Sequence, residues 1–253
     1  MQRIPVSCVI ITRDAAAPLP AALASVQWCE DVVVVDSGSR DETCAIAERA
    51  GARVVHQDWL GFGPQKRFAV SCARHDWVLC LDADERVSPE LRVAMERALA
   101  APSHGAYQFA RCNRFLGRWL RHGEGYPDWS LRLFDRREAQ WSQDPVHEKV
   151  LARVPVGRLA GDLLHESAES LTRYLEKQNR YTSLQAEAAF VAGTRFSAAK
   201  LVLSPLMRFV KFYFLRLGFL DGAAGLVHIA IGCQNSFLKH AKLLELERRG
   251  GAQ

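Results

Sequence analysis

Trp77-Val78-Leu79-Cys80-Leu81-Asp82-Ala83-Asp84-Glu85 opens with five apolar or weakly polar residues and closes in acid. A run of that length, bounded by His75-Asp76 before and by carboxylates after, predicts a central parallel strand buried on both faces. In an extended chain alternate side chains share a face, so Asp82 and Asp84 are expected to project together, with Ala83 turned away. Carboxylates at the carboxyl end of a buried strand lie where open α/β sheets bind ligands, and two of them can share a divalent cation that masks their repulsion. An acidic loop that only solubilises a strand end would carry the same tripeptide, so the neighbouring elements must separate the two readings.

Toward the N-terminus, residues 6–11 read as a first buried strand ending at Thr12-Arg13-Asp14, and residues 31–36 as a second that also ends on an aspartate, Asp36. A helix over 19–26, with Pro18 and Pro20 near its start, joins them. Ser37-Gly38-Ser39 turns the chain, and Ser39 with Glu42 three residues on predicts a capping box opening a helix that stops at Gly51. Residues 53–56 give a third strand. Residues 64–74 give a helix that brings in Gln65, Lys66 and Arg67 at its start; beyond the central strand, Ser88 as cap and Pro89 announce another. Strands alternating with helices over short connections imply a mainly parallel, doubly wound α/β sheet with right-handed crossovers. The first turn, Thr12-Arg13-Asp14-Ala15-Ala16, is not G-x-G-x-x-G, and no G-x-x-x-x-G-K-[ST] loop occurs. Those two facts remove the common dinucleotide-binding and NTPase readings. What remains is a pair of strand-end sites, Asp36 and Asp82/Asp84, suited to a base or ribose at one and a metal-bound diphosphate at the other.

With 253 residues, 49% hydrophobic and 24% charged, the chain can bury one large α/β domain with or without an appendage, which excludes disorder. Seven cysteines form an odd set with no C-x-x-C pair, so reduced thiols in a cytosolic setting are expected rather than a disulfide framework or a zinc ribbon. The apolar run at 6–11 is short and followed by Arg13 and Asp14, which fits a first strand and not a signal peptide. Charge is unevenly placed: residues 1–199 hold 25 basic and 25 acidic side chains, whereas residues 200–253 hold eight basic and three acidic, the whole of the net +5. A neutral domain followed by a basic segment points to an anionic partner.

Residues 105–109 and 130–134 alternate as strands do, and the Arg- and aromatic-rich stretch 111–129 between them is expected as a loop near the site. Its Trp119, Tyr126 and Trp129 can stack on sugar faces and its Arg118 and Arg121 can pair with phosphates, or the stretch can be ordinary loop packing. Residues 168–190 form a long amphipathic helix. In the tail, a wheel of 100° per residue places Lys200, Arg208 and Lys211 within about 80° of one another, with Leu201, Phe209 and Phe212 beyond them and Leu215 read as part of the same apolar set. An in-plane helix on an anionic membrane surface is expected, with a buried packing helix as the alternative. Spanning takes about 20 apolar residues, and the charge-free run 222–238 is shorter and contains His228, Gln234, Asn235 and Ser236. No nucleic-acid-binding module is recognisable, and no nucleic-acid partner is expected.

V-S-C-V-I-I-T-R-D (6–14), V-V-V-V-D-S-G-S-R-D-E-T (32–43), Q-K-R-F-A (65–69) and W-V-L-C-L-D-A-D-E (77–85), in that order and spacing, resemble the family-2 glycosyltransferases of the GT-A fold. W-S-L-R-L-F-D-R (129–136), P-V-H-E-K-V (145–150) and H-E-S (165–167) are similar more narrowly to the lipopolysaccharide-core β-1,4-glucosyltransferases. The likeness runs from residue 4 to about 245. It implies a GT-A domain over 1–190, with a nucleotide-sugar half (1–104), an acceptor half (105–167) and a packing helix (168–190), followed by a membrane-associating tail over 191–253. It also implies that Asp36 accepts a hydrogen bond from the uracil N–H, and that Thr12, Arg13, Ser37, Lys66, Arg67, Asp82, Ala83 and Asp84 line the nucleotide-sugar site. Arg67 departs from the pattern, since many relatives carry asparagine there. Asp84 and Asp82 would ligate Mg²⁺ or Mn²⁺, with His165 as a third ligand or a structural histidine.

An inverting transfer needs one general base for the acceptor hydroxyl. The resemblance implies Glu148, with Asp144 as the alternative, and sets Trp129, Arg132 and His147 on the acceptor side. The implied activity moves glucose from UDP-glucose to a heptose of the lipopolysaccharide inner core, or to a similar membrane glycolipid, at the cytoplasmic face of the inner membrane. Two other classes stay open from the residues: a non-catalytic nucleotide-sugar-binding membrane protein, and a nucleotidyltransferase that would release pyrophosphate.

Overall fold

The computed structural model describes residues 3–144, 148–166 and 170–250. In chain order the elements begin β1 (Ile4–Thr12), α1 (Leu19–Ser25), β2 (Cys29–Asp36), α2 (Thr43–Arg49), β3 (Arg53–His56), α3 (Phe62–Ser71) and β4 (Trp77–Asp82). They continue through β5 (Glu85–Val87), α4 (Pro89–Ala100), β6 (Ala106–Phe115), β7 (Arg118–Trp119), β8 (Asp128–Asp135), β9 (Ala139–Trp141), β10 (Val150–Ala152) and β11 (Val156–His165). Helices α5 (Leu171–Val191), α6 (Ala198–Phe209) and α7 (Gly222–Gly250) complete the chain. Two compact units result: residues 1–112 with 128–166, and residues 113–127 with 167–253. The helix expected within the first domain, α5, belongs to the second unit.

In the first unit the sheet runs β3-β2-β1-β4-β8-β6-β11-β5, and β9 and β10 form a separate two-stranded ribbon. β1 is parallel to both β2 and β4, and β2 to β3, while β8 is antiparallel to β4 and to β6. This is the mixed α/β sheet of the GT-A fold, a doubly wound parallel half continued by an antiparallel one. Its central strands read as unbroken apolar runs because both faces are covered. Ile10, Val34, Leu79 and Leu81 pack with Leu19, Trp28 and Met95 on one side. Val9, Val33, Val35, Val78 and Cys80 pack with Ala69, Phe134 and Trp141 on the other.

Local chemistry decides where these elements stop. Ser88 caps α4 as expected, its Oγ accepting from the Leu91 N–H at 3.2 Å with Pro89 following. The capping box expected at Ser39 and Glu42 does not form: α2 has no side-chain cap, because the Ser39 hydroxyl is donated to Asp36 Oδ1 and also accepts from the Asp14 N–H. The extended geometry expected through Asp82-Ala83-Asp84 is broken as well. β4 ends at Asp82, residues 83 and 84 turn, and the Asp82 N–H donates to Glu85 Oε2 at 3.0 Å across that turn. The two aspartates therefore take different partners.

In the second unit, the stretch expected as a loop over 111–129 is partly regular. β6 runs on to Phe115 and folds back into β7, pairing Arg114 with Trp119. Asp221 ties down the segment after β7, accepting from the backbone N–H of Arg121 at 3.0 Å and of His122 at 2.8 Å. α5 and α6 pack on α7, burying Thr182, Ala186, Ile229, Ile231 and Leu243. Among the described residues no single helix is long and apolar enough to cross a membrane. The pair Ala198–Leu215 and Gly218–Arg249, bent by 75° at its break, has the combined length and composition to do so.

Candidate active site

Three parallel strands bring their carboxyl ends into line. Thr12 of β1 is in register with Asp36 of β2, and Ile11 of β1 with Asp82 of β4. On β8, Leu133 pairs with Leu79, so the next step along β4 lies opposite Arg132. Carboxylate, hydroxyl and guanidinium thus meet at one edge of the sheet, the edge where such sheets take ligands.

Asp36 is buried, and its Oδ2 accepts from the N–H groups of Gly38 and Ser39, both at 2.9 Å, while the Ser39 hydroxyl donates to Oδ1. Gly38 makes that turn at φ +85, where a side chain is strained. Burial opposes the Asp36 charge, but the bonds from Ser39 and Gly38 more than offset it and hold the carboxyl below the usual carboxylate range. Beside it, Ser37 Oγ accepts from Gln65 Nε2 at 3.0 Å. Gln65 is fully buried and also donates to the Gln57 carbonyl, pinning α3 to the end of β2. Arg13 stays on the surface next to Asp14.

Lys66 is only 5% exposed, although a lysine in a first helical turn is ordinarily solvated. Its Nζ stands 3.1 Å from Asp82 Oδ1 and 3.0 Å from Glu148 Oε1, and 4.6 Å above the centre of the Trp141 ring. Arg132, equally buried, donates from Nη2 to Asp82 Oδ2 and Glu85 Oε1, each at 3.0 Å, and lies 5.3 Å from the same ring. Burial works against ionised Asp82, but the charges of Arg132 and Lys66 outweigh it and hold its carboxyl well below the usual range. Arg132 is in turn raised above its ordinary value: burial lowers it, and Glu85 and Asp82 overcome that. Both Asp82 oxygens are thus engaged in ion pairs, with Lys66 and with Arg132. Asp84 instead pairs with His165, Oδ2 to Nε2 at 3.2 Å, because β11 sets His165 opposite Glu85.

A cavity of about 460 Å³ opens beside this network, lined by Arg111, Trp129, Arg132, Trp141 and Glu148 among others. Trp129 is 42% exposed and carries the Arg158 guanidinium 4.6 Å above its ring. Asp144 is exposed, in contrast to half-buried Glu148. Its backbone oxygen lies where a Cβ on Gly63 would come within 2.9 Å, so α3 and the 142–144 segment touch backbone to backbone. Arg67 donates to the Trp141 carbonyl at 3.4 Å. His147 lies outside the described residues.

Sequence reasoning gave no role to Glu85 or Gln65. Glu85 is fully buried and accepts from Arg132, from Arg111 at 3.5 Å and from the Asp82 N–H. The signal for Gln65 and Lys66 was helical spacing: both are three or four residues from Ala69, and all three face the core.

For a divalent cation, the donor set that fits is Asp84 with His165. Their 3.2 Å separation is close to the ~3 Å edge between adjacent ligands at the 2.0–2.1 Å bond lengths of a small divalent ion. Among the described residues no group of three or more His, Cys, Asp or Glu side chains gathers to hold a metal. The remaining positions would thus fall to substrate oxygens and water, as hard cations at diphosphate sites commonly arrange.

A doubly wound sheet with carboxylates gathered at these strand ends, and an aromatic-walled cavity beside them, is the arrangement of a transferase of GT-A architecture. The chain belongs to glycosyltransferase family 2, whose family model ("Glycosyl transferase family 2") matches residues 7–153. It is 33% identical over 254 residues to an uncharacterized glycosyltransferase of Rickettsia typhi, covering 95% of this chain and 87% of that one. It is 29% identical to the lipopolysaccharide core biosynthesis glycosyltransferase LpsC of Rhizobium meliloti, over 96% of this chain and 93% of the relative. The glucosyl-3-phosphoglycerate synthase of Mycobacterium tuberculosis, solved with Mn²⁺, UDP and glucosyl-3-phosphoglycerate, aligns with a TM-score of 0.37 at 22% identity over 44% of each chain.

Proposed function

We propose that this glycosyltransferase moves a hexose, glucose in the first instance, from a UDP-sugar to a lipopolysaccharide inner-core heptose or similar membrane glycolipid, with inversion and with a divalent metal. The observation that carries a ligand at this edge is a pair of orphans. Thr12 Oγ1 and Arg132 Nη1 are buried side-chain atoms with no hydrogen-bond partner among the described residues. Leaving such an atom unpaired costs about 1–3 kcal/mol, a cost that a bound nucleotide-sugar removes. Thr12 adjoins Asp36 in the parallel register, and the acceptor-only carboxylate of Asp36 is the group that meets a base N–H in this reading. Arg132 lines the cavity that receives the acceptor.

Within this reading Glu148 is the general base. Its side chain lines the cavity, and the Lys66 ammonium holds one carboxylate oxygen at 3.0 Å. Glu148 takes the proton from the acceptor hydroxyl as that oxygen bonds to the anomeric carbon, and the carbon–oxygen bond to UDP breaks with its electron pair leaving on the diphosphate. A single displacement inverts the configuration and needs no nucleophile on the protein. Asp84 and His165 would hold Mg²⁺ or Mn²⁺, and a cation there would supply Lewis acidity toward the charge on the leaving diphosphate, a contribution of several kcal/mol. Trp129 offers its exposed ring to a sugar face. Kinship to a relative named for lipopolysaccharide core biosynthesis supports the acceptor class, and the basic, apolar-faced second unit supports work at the cytoplasmic membrane face.

A UDP-release screen across UDP- and GDP-sugars, with membrane extract as acceptor and with and without EDTA, tests the reading. Metal-dependent, extract-dependent release from UDP-glucose is expected. Release from no sugar, or pyrophosphate release from a nucleoside triphosphate instead, overturns it.

A further inference from the structure

The second unit contains a polar cavity of about 260 Å³ that the transfer reaction does not use. Its lining comes from α5, α6, α7 and Glu124, and it is rich in donors: Arg208, Lys239, His240, Ser204, Ser236 and Asn235. Arg208 is already engaged, its guanidinium donating to both oxygens of Glu124. Asn235 donates to Gln178 Oε1 at 2.8 Å, which leaves the Gln178 amide nitrogen as a further donor. Tyr174 and His228 share a hydrogen bond at 3.3 Å. Lys239 is the group left over: half-buried against this cavity, it has no carboxylate within ion-pair distance among the described residues. The surroundings of His240 show the same excess of positive charge, since burial first and then Lys239 and Lys200 push its pKa down.

A cavity below the usual 300–1,000 Å³ of a drug-sized ligand site is too small for a nucleotide-sugar and suits a headgroup-sized ion. Its donors are spread over three helices. An anion with three acceptor oxygens can meet the ammonium, the hydroxyls and the amides together, whereas the two oxygens of a carboxylate reach fewer of them. On the helix that supplies Ser204 and Arg208, the residues Val202, Leu203, Leu206 and Met207 are more than half exposed, so an apolar surface adjoins the polar cavity. The geometry points to a phosphate-ester binding site in the helical unit, centred on Lys239 and distinct from the sugar-nucleotide site. It does not rest on the transfer reaction or on the donor sugar.

Glycerol 1-phosphate is the soluble probe, and vesicles of phosphatidic acid or of phosphatidylcholine are the membrane probes, all used with the full-length protein at constant ionic strength. Glycerol 1-phosphate is expected to raise the thermal midpoint of the wild type. Lys239→Gln abolishes that rise with unchanged helical circular dichroism, and exposed Lys211→Gln keeps it. Binding to phosphatidic acid vesicles falls about fivefold in Lys239→Gln and is competed by glycerol 1-phosphate when the natural source is a lipid headgroup. A Lys239-dependent thermal rise without competition at the vesicle assigns the site to a soluble phosphate ester. No rise in the wild type, or equal responses from wild type, Lys239→Gln and a second variant, Ser236→Ala, overturns the site.

Discussion

Glu148 and Lys66 stand 3.0 Å apart although 82 residues separate them in sequence, and their pairing sets opposite expectations for two isosteric variants. Glu148→Gln should lower kcat by roughly the 10²–10⁴ of a lost general base while equilibrium binding of the UDP-sugar is retained. Asp144→Asn, at an exposed position, should leave the rate near wild type; the reverse pattern in single-turnover assays would exchange the two roles. Asp82 carries a second expectation, in stability against pH. Its folded pKa is depressed by Arg132 and Lys66 in spite of burial, so its contribution is present above the unfolded value of about 3.9 and is lost as pH falls toward the folded one. Denaturant midpoints of the wild type should therefore drop below about pH 5, and Asp82→Asn should flatten that acid limb. At this scale the sequence named most of the polar residues of the edge but could not assign their partners. Lys66 reads as a solvated helix-start lysine until the fold brings Asp82, Glu148 and Trp141 around it.

At the scale of elements, strand and helix order was legible because the apolar runs of β1, β2 and β4 report burial on both faces. What was not legible is how the ends are tied. Ser39 fits the capping pattern but faces a stronger claim from buried Asp36, and the D-x-D alternation fails because Glu85 closes a turn after β4. α3 shows the consequence for the site, since it carries Lys66 and rests on the 142–144 backbone at Gly63. A Cβ there would stand 2.5 Å from the Ser142 carbonyl oxygen and 2.9 Å from that of Asp144. Both are backbone atoms and cannot swing aside, so Gly63→Ala should destabilise the protein by about 1–3 kcal/mol as overpacking does. Displacing α3 also moves Lys66 from Glu148, and the variant should lose turnover at temperatures where circular dichroism still reports a folded chain. A variant with wild-type midpoint and rate would mean that the 142–144 segment yields freely.

At the scale of the whole molecule, the concentration of positive charge after residue 200 was plain in the sequence, but the helical wheel drawn through it was not the real surface. Residues 210–215 wind as a π-helix, whose wider turn spoils a count of 100° per residue. Arg208 is held by Glu124, and Phe209 stacks on Tyr213 at 5.0 Å. The exposed apolar residues are Val202, Leu203, Leu206, Met207 and Phe214 together with the expected Leu215, at exposures from 53% to 75%. Burying large side chains of this kind is worth about 1.5–3 kcal/mol each when complete, and Lys200 and Lys211 add on the order of 1 kcal/mol each near an anionic leaflet. The apolar part should survive salt, whereas the charged part is screened over a Debye length of about 8 Å at physiological ionic strength. Leu206→Asp, Met207→Asp and Leu215→Asp together replace exposed groups and so spare the folded core. They should release the protein from anionic liposomes in flotation at any salt, and lower transfer to a membrane acceptor far more than UDP-sugar hydrolysis. Lys200→Glu with Lys211→Glu should weaken flotation at low salt only. Wild-type protein that stays at the bottom of the gradient at low salt, or a triple variant that floats as well as wild type, would make this face a packing surface and detach membrane recruitment from the second unit.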